Sequence, residues 1–127
     1  ALIAGGHDRG IDYAPLAAGL AARVAPTFVL TLPEAGPRIH AKIAEAARAG
    51  GGVRAGAGPS GAAEPPGVAG VEDCDDLDTA VARAFAWARP DGVVLLSPAA
   101  PSFGRFRDYR ERGEAFARAM RSCAALP

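Results

Sequence analysis

Neither sign of charge is in excess in this 127-residue sequence, where 14 Lys and Arg stand against 14 Asp and Glu. Neutralising a nucleic-acid backbone takes a cationic surplus, so the balance argues against a general nucleic-acid binder. Lysine itself is nearly absent, Lys42 standing alone beside 13 arginines. Long apolar runs are missing too. None approaches the ~20 residues that cross a bilayer, and no basic segment leads into an apolar stretch and a cleavage site, so neither a membrane partner nor a signal peptide is expected. Cysteine is confined to Cys74 and Cys123, far apart and outside any Cys-x-x-Cys or Cys/His spacing. That pattern indicates no disulfide framework and no zinc site, and both thiols are expected to be reduced and structural in a cytoplasmic protein. The two imidazoles, His7 and His40, lie on different segments with no ligand partners at metal spacing, which leaves too little for a metal centre or a Ser-His-Asp triad.

What remains is a chain of single-domain length, half of it hydrophobic. Short apolar, β-rich runs bounded by Gly or Pro occur at residues 1–4, 27–32 and 92–96, with a weaker one at 67–72. Runs of this kind suit strands buried on both faces of a parallel sheet. Helical periods lie between them: Leu16, Leu20 and Val24 after Tyr13; Ile39 and Ile43 with Ala46 and Ala47; Leu77, Val81 and Phe85; and Phe116, Met120 and Cys123 on a last helix over 109–124. Asp75 or Asp76 can cap the third helix, where the positive end of the helix dipole favours a carboxylate. Phe85, Trp87 and Phe116 are expected to pack against the sheet. Four strands alternating with four helices predict an α/β fold: a three-layer, Rossmann-like domain with a mostly parallel sheet and helices on both faces. Residues 50–67 are Gly-, Ala- and Pro-rich with no period and too little bulk for a core, and read as a mobile surface loop or a tolerated insertion.

In an open parallel sheet ligands bind beyond the carboxyl ends of the strands, which directs attention to two turns. The first is Gly5-Gly6-His7-Asp8-Arg9-Gly10. Its glycines permit a sharp turn that brings N–H groups close to an anion, and Arg9 adds a guanidinium fork, although an ordinary strand-to-helix turn would use the same residues. Ile11 and Asp12 stand where a nucleotide P-loop needs Lys and Ser or Thr, and there is no Gly-x-Gly-x-x-Gly. Asp12 and Tyr13 could be functional, or Asp12 could be the cap of the first helix. The second turn, Ser97-Pro98-Ala99-Ala100-Pro101-Ser102-Phe103, offers the Ser102 hydroxyl just before Arg105, Arg107, Arg110 and Arg112. That hydroxyl could hold a carboxylate or phosphate, or could simply cap a helix. The arginines alternate with Asp108, Glu111 and Glu114, the pattern of a solvated helix face.

Taken together, the two turns resemble a known family. Gly5-Gly6-His7-Asp8-Arg9-Gly10-Ile11-Asp12-Tyr13, followed by Leu16, is similar to the opening of the C-terminal domain of the glutamate-adding Mur ligases, Gly-Gly-x-Asp-Lys-Gly-x-Asp-[Phe/Tyr]. The stretch from Leu95-Leu96-Ser97-Pro98-Ala99 through Ser102, Phe106 and Tyr109 to Arg112-Gly113 and Phe116 resembles that family's Leu-Leu-Ser-Pro-Ala block. The resemblance covers the whole order of elements and implies residues 1–127 as the amino-acid-presenting C-terminal domain, its own central ATPase and N-terminal UDP-binding domains being its partners. It implies an ATP-dependent ligase, using Mg2+, that joins glutamate to UDP-N-acetylmuramoyl-L-alanine through an acyl phosphate in peptidoglycan synthesis. It also implies a glutamate pocket of Arg9, Ser102, Phe103 and Tyr109, with Gly6, His7 and Asp8 nearest the nucleotide and no catalytic residue or metal ligand in this chain. ATP and magnesium would be held mainly by the central domain, so the chain by itself is expected to be inactive. Arg9 replaces the family's lysine and turns a point charge into a fork, which bears on which glutamate enantiomer is taken. The alternative from another class is a non-catalytic ligand-binding or interaction module with the same fold.

Overall fold

A computed structural model describes residues 1–50, 54–55, 63–64, 67–102 and 104–125. Their elements run β1 (Leu2–Gly6), α1 (Ala14–Ala21), β2 (Thr27–Glu34), α2 (Gly36–Ala49), β3 (Arg54–Ala55), β4 (Ala63–Glu64), β5 (Val68–Asp73), α3 (Leu77–Ala88), β6 (Leu95–Leu96) and α4 (Tyr109–Ala124). Four strands form one parallel sheet in the order β5-β2-β1-β6. The short β3 and β4 pair antiparallel beside it. Most of the Gly-rich stretch expected to be a loop lies outside the described residues.

Side-chain alternation along the strands sorts the core into two layers, because successive residues of a strand point to opposite faces. Leu2, Ala4, Val29, Val68 and Val71 pack against Tyr13, Ala17 and Leu20 near and on α1 and Ile39 and Ile43 on α2. Ile3, Phe28, Leu30 and Leu32 pack on the other face against Leu77, Ala80, Val81 and Ala84 of α3, with Phe116 and Met120 of α4 against the same cluster. Ile3, Val29 and Leu30 have no measurable exposure. Burying each such side chain contributes on the order of 1.5–3 kcal/mol, and apolar residues on both faces account for the unbroken hydrophobic runs read from the sequence.

Helix ends follow their local chemistry. Of the two candidate caps of α3, Asp76 is the one used: its carboxylate accepts the Thr79 amide at 2.7 Å. Asp108 caps α4 by accepting the Glu111 amide at 2.9 Å, and Glu111 reaches back to the Arg107 amide at 2.6 Å. This is close to a reciprocal capping box. At α1 the cap position is Tyr13, whose ring is buried, while Asp12 accepts the Ala14 amide at 2.9 Å.

One expectation is corrected. Val24 does not belong to the α1 stripe: the helix ends at Ala21, and Val24 is fully exposed in the connection to β2. Trp87 does pack against the sheet as expected, at the rim of the core. It is 42% exposed and lays its ring at a tilt against Phe28, 5.6 Å between centroids. The helix period carried no information on where α1 stops or on how wide a face α3 buries.

Candidate functional site

The chain places α1 and α2 on one face and α3 and α4 on the other, and the strand order changes direction at β1, between β2 and β6. At such a switch point the connections leave the sheet on opposite sides and a crevice opens beyond the strand ends. A cleft of about 340 Å3 lies there. Gly5, Gly6 and His7 line it from the end of β1, Leu32, Pro33 and Glu34 from β2, and Asp76, Leu77 and Asp78 from the start of α3. Ser102, Arg105 and Phe106 come from the loop after β6, and Arg112 and Ala115 from α4.

Backbone hydrogen bonds draw the two sequence-predicted turns together. The Gly5 amide donates to Pro98 O at 2.6 Å, and the His7 amide donates to Pro101 O at 3.0 Å. This contact depends on glycine at position 6, where φ is +139° and a Cβ would stand 2.5 Å from Pro101 O. The Ser102 side chain is thereby carried into the cleft, and the residue is only 9% exposed. It caps no helix: Asp108 performs that task six residues later.

The acidic and basic groups of the cleft are held by different means. Glu34 has a φ of +70°, a conformation that non-glycine residues adopt at a cost, typically where function or surrounding structure demands it. Its Oε2 accepts from His7 Nδ1 at 2.8 Å and from the Asp8 amide at 3.4 Å. Arg112 is 8% exposed, and its guanidinium donates to Ala100 O at 3.1 Å. No carboxylate pairs with it among the described residues, and burial alone pushes its pKa down from the usual arginine value. Arg105 donates to Asp75 O at 2.6 Å. Asp8 turns away to Arg38; the Gly10 amide, followed by the Arg38 guanidinium, holds its carboxyl below the ordinary range.

Of the residues singled out from sequence, Gly6, His7 and Ser102 share the cleft. Arg9 is exposed on the turn beside it and is not among its lining residues. Tyr109 opens α4, is 68% exposed and lies under the Arg110 guanidinium rather than in the cleft. Phe103 lies outside the described residues. Sequence reasoning missed Glu34 and Arg112. Arg112 was expected on a solvated, mixed-charge face, and the structure overturns that: it is the buried member of its arginine cluster. Its position three residues after Tyr109 in the family-like block was the available signal. Glu34 carried none, since nothing in a sequence marks a positive φ at a glutamate. His40, read as isolated, pairs with Asp73 Oδ2 at 3.1 Å, and Asp73 in turn accepts from the Thr31 hydroxyl.

The described residues do not fit an ATP–magnesium site. The Gly5–Gly10 turn has no P-loop Lys or Ser/Thr, and among the described residues no group of three His, Cys, Asp or Glu could hold a metal ion. Both cysteines are free thiols. No helix among the described residues is long and apolar enough to cross a membrane.

No family model matches the chain. It is 46% identical over 126 residues to a UDP-N-acetylmuramoyl-L-alanine–L-glutamate ligase of a Micromonospora species, covering 99% of this chain and 23% of that protein. The enzyme of the same name from Xanthomonas euvesicatoria is 43% identical over 119 residues, 92% of this chain and 21% of its own length. That from Salinispora tropica is 39% identical over 126 residues, 97% of this chain and 22% of its own. The chain thus spans less than a quarter of the curated relatives it matches. Over nearly all its length it is homologous to one segment of the glutamate-adding Mur ligases.

Proposed function

We propose that this chain is the C-terminal, amino-acid-presenting domain of an ATP-dependent ligase that adds glutamate to UDP-N-acetylmuramoyl-L-alanine in the cytoplasm. The observation that carries the reading is the near-complete, 46% identical match to a ligase named for L-glutamate. L-Glutamate is therefore the enantiomer we assign. The cleft supports the same reading by its charge: it presents the Ser102 hydroxyl and the Arg112 guanidinium beside the Glu34 carboxylate, a set suited to a small zwitterion.

ATP and magnesium belong to the remainder of the ligase, where they supply the energy that activates the alanine carboxylate. This chain's part is positional. Ser102 donates to a glutamate carboxylate, and Arg9, on the adjoining turn, contributes a second cationic contact when the domains close. The family resemblance adds Phe103 and Tyr109 to the glutamate site, Tyr109 from outside the cleft described above. Holding an amine against an activated acyl group converts a bimolecular encounter into a local one, an effect worth several kcal/mol in well-oriented systems. Gly6, His7 and Asp8 form the edge nearest the nucleotide.

The test is a ligation assay on the intact parent protein, with D- and L-glutamate supplied separately together with the alanine-bearing nucleotide precursor and ATP. Ligation of L-glutamate, with ADP and phosphate released in step, is the expected result. Use of D-glutamate alone overturns the enantiomer assignment. Turnover with neither overturns the ligase reading and favours a non-catalytic binding module.

A further inference from the structure

We infer that Glu34, braced by His7, is an ammonium subsite, and that it acts with Arg112 in the same cleft to select an α-amino acid over a dicarboxylate of the same length lacking the amine. The inference rests on the proposed amino-acid-presenting role and deepens it.

The starting point is Arg112. More than nine-tenths buried, lining the cleft, it has five N–H donors but a single acceptor among the described residues, the carbonyl of Ala100. A buried cation left so under-satisfied is costly unless an anion completes it, so the cleft calls for a carboxylate at that end. A plain anion would fit poorly, however, because Glu34, Asp76 and Asp78 line the same space. Asp76 is occupied by the Thr79 amide. Glu34 is differently placed: its Oε2 takes both the His7 imidazole and the Asp8 amide, and neither bond uses Oε1. With its partner a carboxylate, His7 Nδ1 is the donor of that pair, which fixes the tautomer. The His7 amide is in turn bonded to Pro101 O, next to Ser102, so the acidic corner and the hydroxyl are fastened to one another through the backbone. A ligand with a carboxylate at one end and an ammonium at the other satisfies both sets of unmet hydrogen bonds. A dicarboxylate satisfies only one.

The experiment compares L-glutamate with glutarate, which keeps both carboxylates and lacks the amine, on the full-length ligase carrying Glu34→Gln. The substitution preserves side-chain length and an acceptor for His7 while removing the charge. The KM for glutamate is expected to rise about tenfold, the equivalent of one charge-assisted hydrogen bond (about 1.4 kcal/mol). The inhibition constant of glutarate stays level or falls, because the substitution removes a charge that repels it, and the KM for ATP stays within about twofold, within ordinary scatter for a site left intact. Glu34→Asp, which keeps the charge, recovers part of the glutamate affinity, and a change of equal size for glutamate and glutarate, or for neither, overturns the inference. If the wild-type enzyme ligates a different amino acid, the glutamate reading fails separately. The same comparison, run with that amino acid and its desamino analogue, still decides the subsite.

Discussion

The guanidinium of Arg112, on the first turn of α4, holds the carbonyl of Ala100, twelve residues back along the chain, at 3.1 Å. The bond spans the loop that carries Ser102 and ties it to a helix whose start is fixed independently by Asp108. Arg112→Ala removes it together with the packing of the side-chain stem, and is expected to lower the unfolding free energy by about 2 kcal/mol, as for other charge-assisted bonds. Arg112→Lys keeps the charge without the fork and should recover less than half of that. Chemical denaturation of the three proteins checks both figures, and an alanine variant as stable as the parent would show that the loop holds its shape without the arginine.

Ser102 offers the most direct functional test. On the proposed function, Ser102→Ala in the intact parent protein should raise the KM for glutamate at least about tenfold, the loss expected when a hydroxyl bonded to a carboxylate is removed. The KM for ATP should barely move. Steady-state kinetics with each substrate varied in turn measures the split, and equal changes in both would place Ser102 outside the amino-acid pocket.

Asp76 links stability to pH. Its carboxyl is held below the ordinary carboxylate range, first by the Thr79 amide. A carboxyl with a lowered folded-state pKa stabilises the fold above its unfolded pKa, and that stabilisation disappears as the pH falls through the folded value. Asp76→Ala should therefore cost about 1 kcal/mol at neutral pH, in the usual range for a lost N-cap. As the pH falls below the unfolded carboxyl value of about 3.9 and on through the lower folded one, the gap should close. Denaturation midpoints of the two proteins across pH 2–7 follow the convergence, and a gap constant over that range would assign the loss to something other than the charged cap.

Cys74 and Cys123 should separate in reactivity. Burial, followed by the charge of Glu72, pushes the Cys74 thiol up to about 11, so almost none of it is thiolate at pH 8. Cys123 is half-buried. A thiol-reactive dye should therefore label Cys123 first, with Cys74 following at least about a hundredfold more slowly, as its thiolate fraction and access dictate. Added denaturant should bring the two rates together. Labelling followed by peptide mass analysis identifies which thiol reacts, and rapid labelling of Cys74 in the folded protein would contradict its placement beneath α3.

Much of the fold was legible because its signals are local. Ile39, Ile43 and Ala47 repeat at helical spacing and are all buried on α2, and residues 27–32 form an apolar run that is buried throughout β2. The ends of elements were less legible. β6 is reduced to Leu95–Leu96, where the run suggested five residues, since pairing with β1 at Leu2 and Ile3 is what defines that strand. The candidate site was half readable. Gly6 and Ser102 are marked by glycine chemistry and by a family-like block, whereas Glu34 and Arg112 owe their place to a backbone conformation and to burial, both properties of the assembled fold. A mixed-charge helix looks the same in sequence whether its arginines face water or a cleft.

The crevice takes its walls from residues as far apart as Gly5 and Ala115. No fragment of the fold can present it, and an occupant meets a complete site only after β6 has docked beside β1 and α4 has closed over the loop between them. Any small molecule that binds there must in consequence raise the melting temperature of the entire unit, the more so the further its concentration exceeds its dissociation constant, which makes thermal shift a direct gauge of what the crevice accepts.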